Sequence, residues 1–537
     1  MIEQRLGVVT DGTFNAGLTV RLDPGVSTED LRIGSFVVVE GERHLFFSTL
    51  ADIFLRSTDA RIAAAAPRDI SPFIARALAG TATYATVQVR PMLMMEKADD
   101  FTFTLDLSPP QPVRTIPMHF AILRAATETD FGTVFGSEDE KHFAMGTPLA
   151  MDIPITLNLE RLVERSNGIF GQSGTGKSFL VRLLLCGVVK SGIAVNLIFD
   201  MHDEYAFGKE SEDGTWVKGL KHLFGSKVLV YSLDEGAASR EGRNVDVTLQ
   251  IGMNQIEAGD VLLLAEELNL RATAEANVEL LQDAFKEEWL RYFLAMSPVD
   301  IEAFCGQYGA HAGSLAALQR NLKRIERRPY VVDQAPFSII DEMVGALDKG
   351  RHAVLHFGRY DSPLDHMLVA NIITRRVRHL YRQKVERYDQ THAPGDRPRP
   401  LMITIEEAHK FLNPAVSRQT IFGTIARELR KYHVTLMVVD QRPSGIDSEV
   451  MSQLGTRITG KLTEERDIDA VLTGVAGRSF LRNTLEGLDT REQVLLMGHA
   501  VPMPIVVQTR KYDTKFYAAM TGEKPSATQA YSELFEP

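Results

Sequence analysis

Cysteine is scarce: the 537 residues hold two, Cys186 and Cys305. Two thiols exclude a disulfide framework and a four-cysteine zinc site, and Cys186 sits in an apolar run that suits a buried thiol. That usage fits a reducing cytoplasm. Long apolar runs are missing as well. No stretch approaches the roughly 18–20 uninterrupted apolar residues that cross a bilayer, and the opening MIEQRLGVVTDG lacks the basic flank and apolar segment of a secretory leader. The expectation is a cytoplasmic protein with no membrane partner. Positive charge is in deficit too, with 59 lysines and arginines against 70 acidic residues and a formal net charge of −11. This excludes a broadly basic surface for nucleic acid but leaves room for a locally basic channel.

What is present is length and pattern. A chain of 537 residues outgrows a single hydrophobic core, which stops growing near ~250–300 residues, so at least two domains are expected. Residues 5–60 alternate short apolar runs with turns, as in LGVVTDGTFNAGLTVRL and GSFVVVEGERHLFF. With TYATVQVRPMLMM and FTFTLDL over 83–107, they predict a small antiparallel barrel or sandwich. Near residue 150 the pattern changes to strands alternating with helices, the mark of a mainly parallel sheet wrapped by helices. Strands are expected at Gly168–Phe170, Ile193–Asp200, Lys227–Ser232, Ala353–Phe357, Leu401–Ile405, Val434–Asp440, Arg457–Leu462 and Glu492–Met497. The spacing of Leu364, Met367, Leu368, Ile372, Ile373, Val377 and Leu380 predicts a crossover helix. The division that follows is a barrel over 1–110, a connecting segment over 111–150 and an α/β core over 151–258 and 350–512. A helical insertion interrupts the core over 259–349, and a tail over 513–537 looks loosely tied.

Chemistry concentrates in GQSGTGKS, from Gly171 to Ser178, which satisfies G-x-x-x-x-G-K-[ST] with an apolar strand before it and an apolar helix after it. Glycines reach backbone angles closed to other residues, so successive N–H groups can curl around a phosphate. Lys177 adds charge at the β- and γ-phosphates, Ser178 offers a hydroxyl to Mg²⁺, and the helix N-terminus favours the anion. The cofactors implied are ATP and Mg²⁺. The binding set is Gly171, Ser173, Gly174, Thr175, Gly176, Lys177, Ser178 and Phe179. A second segment, LMITIEEAHKFL, ends an apolar strand at Glu406 with Glu407 directly after it. One carboxylate can hold Mg²⁺ while its neighbour orients the attacking water. A third, IFDMHDEYAF, gathers Asp200, His202, Asp203 and Glu204 at a strand end, where a parallel sheet opens its ligand crevice. Asp200 and Glu204 are candidates to touch phosphate or substrate; a lone histidine among acids does not make a metal site.

Taken in order, GQSGTGKS, FDMHDEY, IEEAH, IARELRKYHVTLMVVDQRPSGID and EQVLLMGHAVPMPIVVQ resemble the HerA branch of the HerA/FtsK ATPases. The N-terminal LGVVTDGTF and GSFVVVEGERHLFF are similar to the HAS-barrel that precedes that core. The resemblance implies a RecA-like P-loop core with Glu406 on the metal side, where the family more often has Asp, and Glu407 as catalytic glutamate. It further implies Gln441 as γ-phosphate sensor and Arg430 as an arginine finger reaching a neighbour's nucleotide, with Arg427, Lys431 and Arg442 as other basic candidates. The position before Arg430 is Leu429, where the family pattern has Gly. A homohexamer follows from a finger in trans. The implied function is an ATP-dependent double-stranded DNA translocase or helicase. It would act with a partner nuclease or other effector, docked on the barrel, in DNA end processing or antiphage defence. A ring that assembles and activates an effector without moving DNA is the alternative. Two basic runs, Arg320–Arg328 and Thr374–Lys384, are candidates for the pore and equally for solvated helix faces.

Overall fold

The runs of β-branched residues in the first 130 positions close on themselves. In the computed structural model, which describes residues 4–58, 78, 82–97, 109–149, 151–210, 214–234, 236, 244–271, 273–335, 338–415, 417, 420–475, 477–489 and 492–522 (side chains at 338, 429 and 430 excepted), the chain forms two compact units. The first comprises residues up to Asn158 together with Thr456–Ile468 and Gly474–Arg510. Its six barrel strands are Arg5–Thr13, Gly17–Leu22, Phe36–Glu40, His44–Ser57, Thr83–Glu96 and Ile122–Ala125. The first pairs with the second and the last, the last with the third, and the third, fourth and fifth pair in turn. The fifth then returns to the second, so these six strands close into a barrel. Alternate residues such as Val20, Val39, Leu50, Val87, Val89 and Leu123 fill the interior. A buried Arg124 joins Glu40 at 2.6 Å to Asp130 at 2.6 Å and so ties the Glu128–Phe135 helix to the barrel wall. The expected strand over 101–107 lies outside the described residues.

The same unit carries an antiparallel ladder in the order Thr456–Thr459, Gln493–Gly498, Ile505–Thr509, His142–Pro148 and Ile155–Asn158. The strands expected from 457 and 492 therefore exist, and they pair antiparallel with one another.

In the second unit seven strands are all parallel, in the order Val247–Thr248, Val228–Ser232, His352–His356, Val195–Asp200, Leu401–Glu406, Val434–Asp440 and Asn167–Phe170. Every residue of the Val195–Asp200, Leu401–Glu406 and Val434–Asp440 strands is buried, which is why these runs are mostly apolar rather than alternating. The crossover helix is longer than its apolar spacing predicts, running from Pro363 to Thr391 behind a Ser362 cap. Residues 259–349 hold mostly helices, with a short strand Val331–Val332, and pack around Trp289, whose indole donates to the Ile256 carbonyl at 2.8 Å. The C-terminal segment is not loose where it is described. Residues Thr514–Thr521 form a helix that buries Phe516, Tyr517 and Met520.

The basic run at 374–384 is a brace. Arg375 pairs with Asp260 at 2.8 Å and with Glu257, Arg376 with Asp341 at 2.8 Å, Arg378 with Glu428 at 3.7 Å, Arg382 with Glu386 at 2.9 Å, and Lys384 with Asp348. Carboxylates of the same chain neutralise these charges, so they are not held in reserve for phosphate. Arg328 is likewise spent on the buried Asp365, at 3.1 Å.

Candidate nucleotide site

The P-loop bridges the end of the Asn167–Phe170 strand and the helix Lys177–Ser191. Gly174 and Gly176 have φ of +79° and +78°, and a Cβ at either would meet nothing within 4 Å. Conformation rather than space requires glycine there. Gly176 serves as the N-cap without a side-chain hydrogen bond. The helix N-terminus thus presents its N–H groups to a ligand, which suits an anion. Lys177 Nζ donates to the Gly171 carbonyl at 3.0 Å, folding the lysine back over the loop. Thr175 turns away, its hydroxyl donating to Gln172 O at 2.7 Å.

The loop floors a cleft of about 610 Å³ that collects Ser173, Gly174, Gly176, Lys177, Ser178 and Phe179 with Glu204, Glu406, Glu407 and Gln441. Three neighbouring parallel strands deliver the acids, since each ends at this rim. Burial lowers the pKa of Lys177 from its ordinary value, and the carboxylates of Asp440, Glu406, Glu407 and Glu204 work against that shift. Phe179 lies 6.2 Å from the Tyr512 ring, so the C-terminal segment backs the first turn of the P-loop helix.

The two adjacent glutamates differ sharply in environment. Glu406 is buried, and the hydroxyl of Tyr205 donates to its Oε1 at 2.5 Å while Oε2, equally buried, has no protein partner. Burial pushes its pKa up to about 8. Glu407 stands at φ +46°, an unusual conformation for a non-glycine residue and one that structures retain mainly at functional sites. Its carboxylate is ion-paired with Lys410 and lies 3.6 Å from His202 Nε2. Burial would raise its pKa, but Lys410, His202 and His409 outweigh that and hold it below the usual range. Side-by-side carboxylates driven in opposite directions are a means of dividing two roles between two chemically similar groups.

An orphaned buried oxygen beside a lysine and a serine fits Mg²⁺ held at a phosphate. Ser178 and Glu406 would be its protein ligands, the nucleotide and water supplying the rest. Among the described residues no group of three or more His, Cys, Asp or Glu could hold a metal alone.

Other candidates fall outside the cleft. Asp200 spends both oxygens on the N–H groups of Glu204, Tyr205 and Ala206, at 2.6, 3.0 and 2.9 Å, so it builds a turn rather than touching phosphate. Arg427 is engaged with Ser417 and with Glu449 at 3.3 Å. Lys431 and Arg442 are exposed, and Arg430 lies on the Leu429–Tyr432 turn. Sequence reasoning missed four residues. Asp440 ends its strand in the cleft and accepts from the His409 backbone at 2.7 Å; its place after the apolar TLMVVD run was a usable signal. Arg182, a cation inside the apolar FLVRLLL run, is buried, donates to Glu204 O at 2.7 Å and lies 5.3 Å from the Phe179 ring. Lys209 pairs with Glu204 at the rim. Tyr205 ends the FDMHDEY segment, but its pairing with Glu406, 201 positions away, leaves no local signal.

Residues 143–377 match the family model described as Helicase HerA, central domain. The DNA double-strand break repair helicase HerA of Pyrococcus furiosus is 23% identical over 402 residues, covering 70% of each chain. Its namesake in Sulfolobus acidocaldarius is 26% identical over 428 residues, covering 77% of each. Among solved structures, VirB4 of Thermoanaerobacter pseudethanolicus aligns with a TM-score of 0.45 at 12% identity, covering 71% of this chain and 100% of that one. Among the described residues no helix is long and apolar enough to cross a membrane.

Proposed function

This chain is a HerA-like ATPase, and on that premise we propose that it is a ring-forming motor that spends ATP to move along double-stranded DNA. The observation carrying the hydrolytic part of this reading is the pair of adjacent glutamates at the mouth of a P-loop, Glu406 held by Tyr205 and Glu407 paired with Lys410. A site that only bound nucleotide would need the loop alone. Here Glu407, which lines the cleft, would orient the attacking water. Glu406 and Ser178 would hold Mg²⁺, which when bound would supply positive charge to the phosphates. Gln441, at the rim, senses the γ-phosphate.

The assembly is a homohexamer in which Arg430 of each subunit completes its neighbour's site, with Arg427, Lys431 and Arg442 the lesser basic candidates. Double-stranded DNA threads the ring, and a nuclease or other effector protein docks on the N-terminal barrel. The relatives' description as double-strand break repair helicases supports work at DNA ends ahead of a role in antiphage defence. Because no base-reading motif is present, binding is expected to be indifferent to sequence and carried by phosphate contacts.

The test is steady-state ATP hydrolysis with and without blunt duplex DNA, across salt. The expected outcome is stimulation by DNA, with apparent DNA affinity falling more than about tenfold between about 50 and 200 mM salt. Hydrolysis that ignores DNA but responds to the partner protein would overturn the motor in favour of a scaffold that activates its effector.

A further inference from the structure

We propose that Tyr205 is a positioning residue for Mg²⁺ binding, its hydroxyl anchoring one oxygen of Glu406 so that the other is presented to the cleft. This rests on the reading of Glu406 as the metal-side carboxylate.

The device starts at Asp200, the last residue of the Val195–Asp200 strand. Its carboxylate gathers the N–H groups of three successive residues, Glu204 to Ala206, and pulls the following loop into a tight turn over the strand end. Asp203, at φ +56°, makes the reversal. The backbone of Tyr205 is then clamped from the other side, where its carbonyl accepts from Leu220 N at 2.9 Å and that of Ala206 accepts from Lys221 N at 3.1 Å. The ring has no freedom to move, being fully buried. Its hydroxyl arrives 2.5 Å from Glu406 Oε1, on the neighbouring strand, which pairs in parallel register with Val195–Asp200.

The chemistry of the contact is specific. A phenol has one O–H to donate, so it fixes one carboxylate oxygen and leaves the second, which is buried and has no protein partner. It is also neutral, whereas a lysine or arginine in its place would compete electrostatically with a divalent cation. A glutamate side chain has three torsions, and burial alone does not choose between rotations of its terminal carboxylate, because that torsion is broad. Hydrogen bonds to a metal-ligating carboxylate orient it and tune its affinity. The acidic FDMHDEY segment thus acts through its tyrosine, with Asp200 as the residue that aims it.

The experiment uses the full-length chain and Tyr205→Phe, which keeps the ring and its packing. Mg²⁺ is titrated against a fixed concentration of a fluorescent non-hydrolysable ATP analogue, and the analogue's affinity is measured separately in EDTA. The expected result is a rise of about tenfold in the Mg²⁺ midpoint, unchanged affinity in EDTA, and recovery of hydrolysis as Mg²⁺ is raised. An unchanged Mg²⁺ midpoint would overturn the inference, as would an equal loss of affinity with and without Mg²⁺, since a purely structural role affects both. In a Glu406→Asp background, whose shorter arm withdraws from the phenol, Tyr205→Phe should shift the midpoint far less; an equal shift would count against the contact. Should the phenylalanine variant not fold, Asp200→Asn loosens the turn and must move the Mg²⁺ midpoint in the same direction, with the EDTA affinity held. The underlying reading fails separately, by Glu406→Gln leaving the Mg²⁺ midpoint where it was.

Discussion

Arg430→Ala protein should bind ATP nearly as well as the wild type and hydrolyse it slower by a factor on the order of 10³–10⁵. Charge builds on the phosphoryl oxygens as the bond to the leaving group breaks, and a cation placed there is worth several orders of magnitude in rate. The cleft's own cations are mostly committed. Arg182 and Lys209 are turned to Glu204, Lys410 is paired with Glu407, and Lys177 is folded onto Gly171. In the proposed assembly a further positive group would come from the turn that precedes the Val434–Asp440 strand of an adjacent subunit. Arg427 is a weaker candidate because Ser417 and Glu449 already hold it. The measurement is turnover against protein concentration, together with mixing of Arg430→Ala and Lys177→Ala subunits. A finger acting in trans predicts that the mixture regains activity neither variant has alone. Normal turnover by Arg430→Ala would remove the assignment.

Glu407→Gln should also retain nucleotide and lose hydrolysis, by about 10²–10⁴-fold, the usual contribution of a positioned general base. The substitution keeps size and removes the charge that Lys410 and His202 now face. Glu406→Gln should differ in kind, weakening the response to Mg²⁺ rather than the chemical step at saturating metal. Pre-steady-state hydrolysis at high Mg²⁺ separates the two. If Glu407→Gln turned over normally while Glu406→Gln were dead, the roles would be reversed.

The P-loop was legible because its eight residues are contiguous and each has a reason to be there; the parallel strands were legible because burial on both faces leaves an apolar run. The barrel was legible as a family of short strands, and its closure was not, since the returning pair between Gly17–Leu22 and Thr83–Glu96 joins segments far apart in the chain. The antiparallel ladder escaped for a related reason. Thr456–Thr459 and Ile505–Thr509 are four and five residues long, and nothing local states which way a neighbour runs. Charge was the least readable feature: the lysines and arginines of 374–384 look like a nucleic-acid patch in one dimension and are matched by acids from 257, 260, 341, 348, 386 and 428 in three. At the site, Glu406 and Glu407 could be named from the strand end, but their opposite environments depend on Tyr205 and Lys410. Of these only Lys410, one helical turn away, was near enough in sequence to be suspected.

Displacement of a third strand from a DNA triplex measures most directly whether hydrolysis at this cleft becomes movement along a duplex. The wild-type protein with ATP and Mg²⁺ should strip the third strand at a rate that tracks hydrolysis, while a non-hydrolysable analogue or Glu407→Gln should leave it in place. Brisk ATP hydrolysis on the same DNA with the third strand undisturbed would contradict the account.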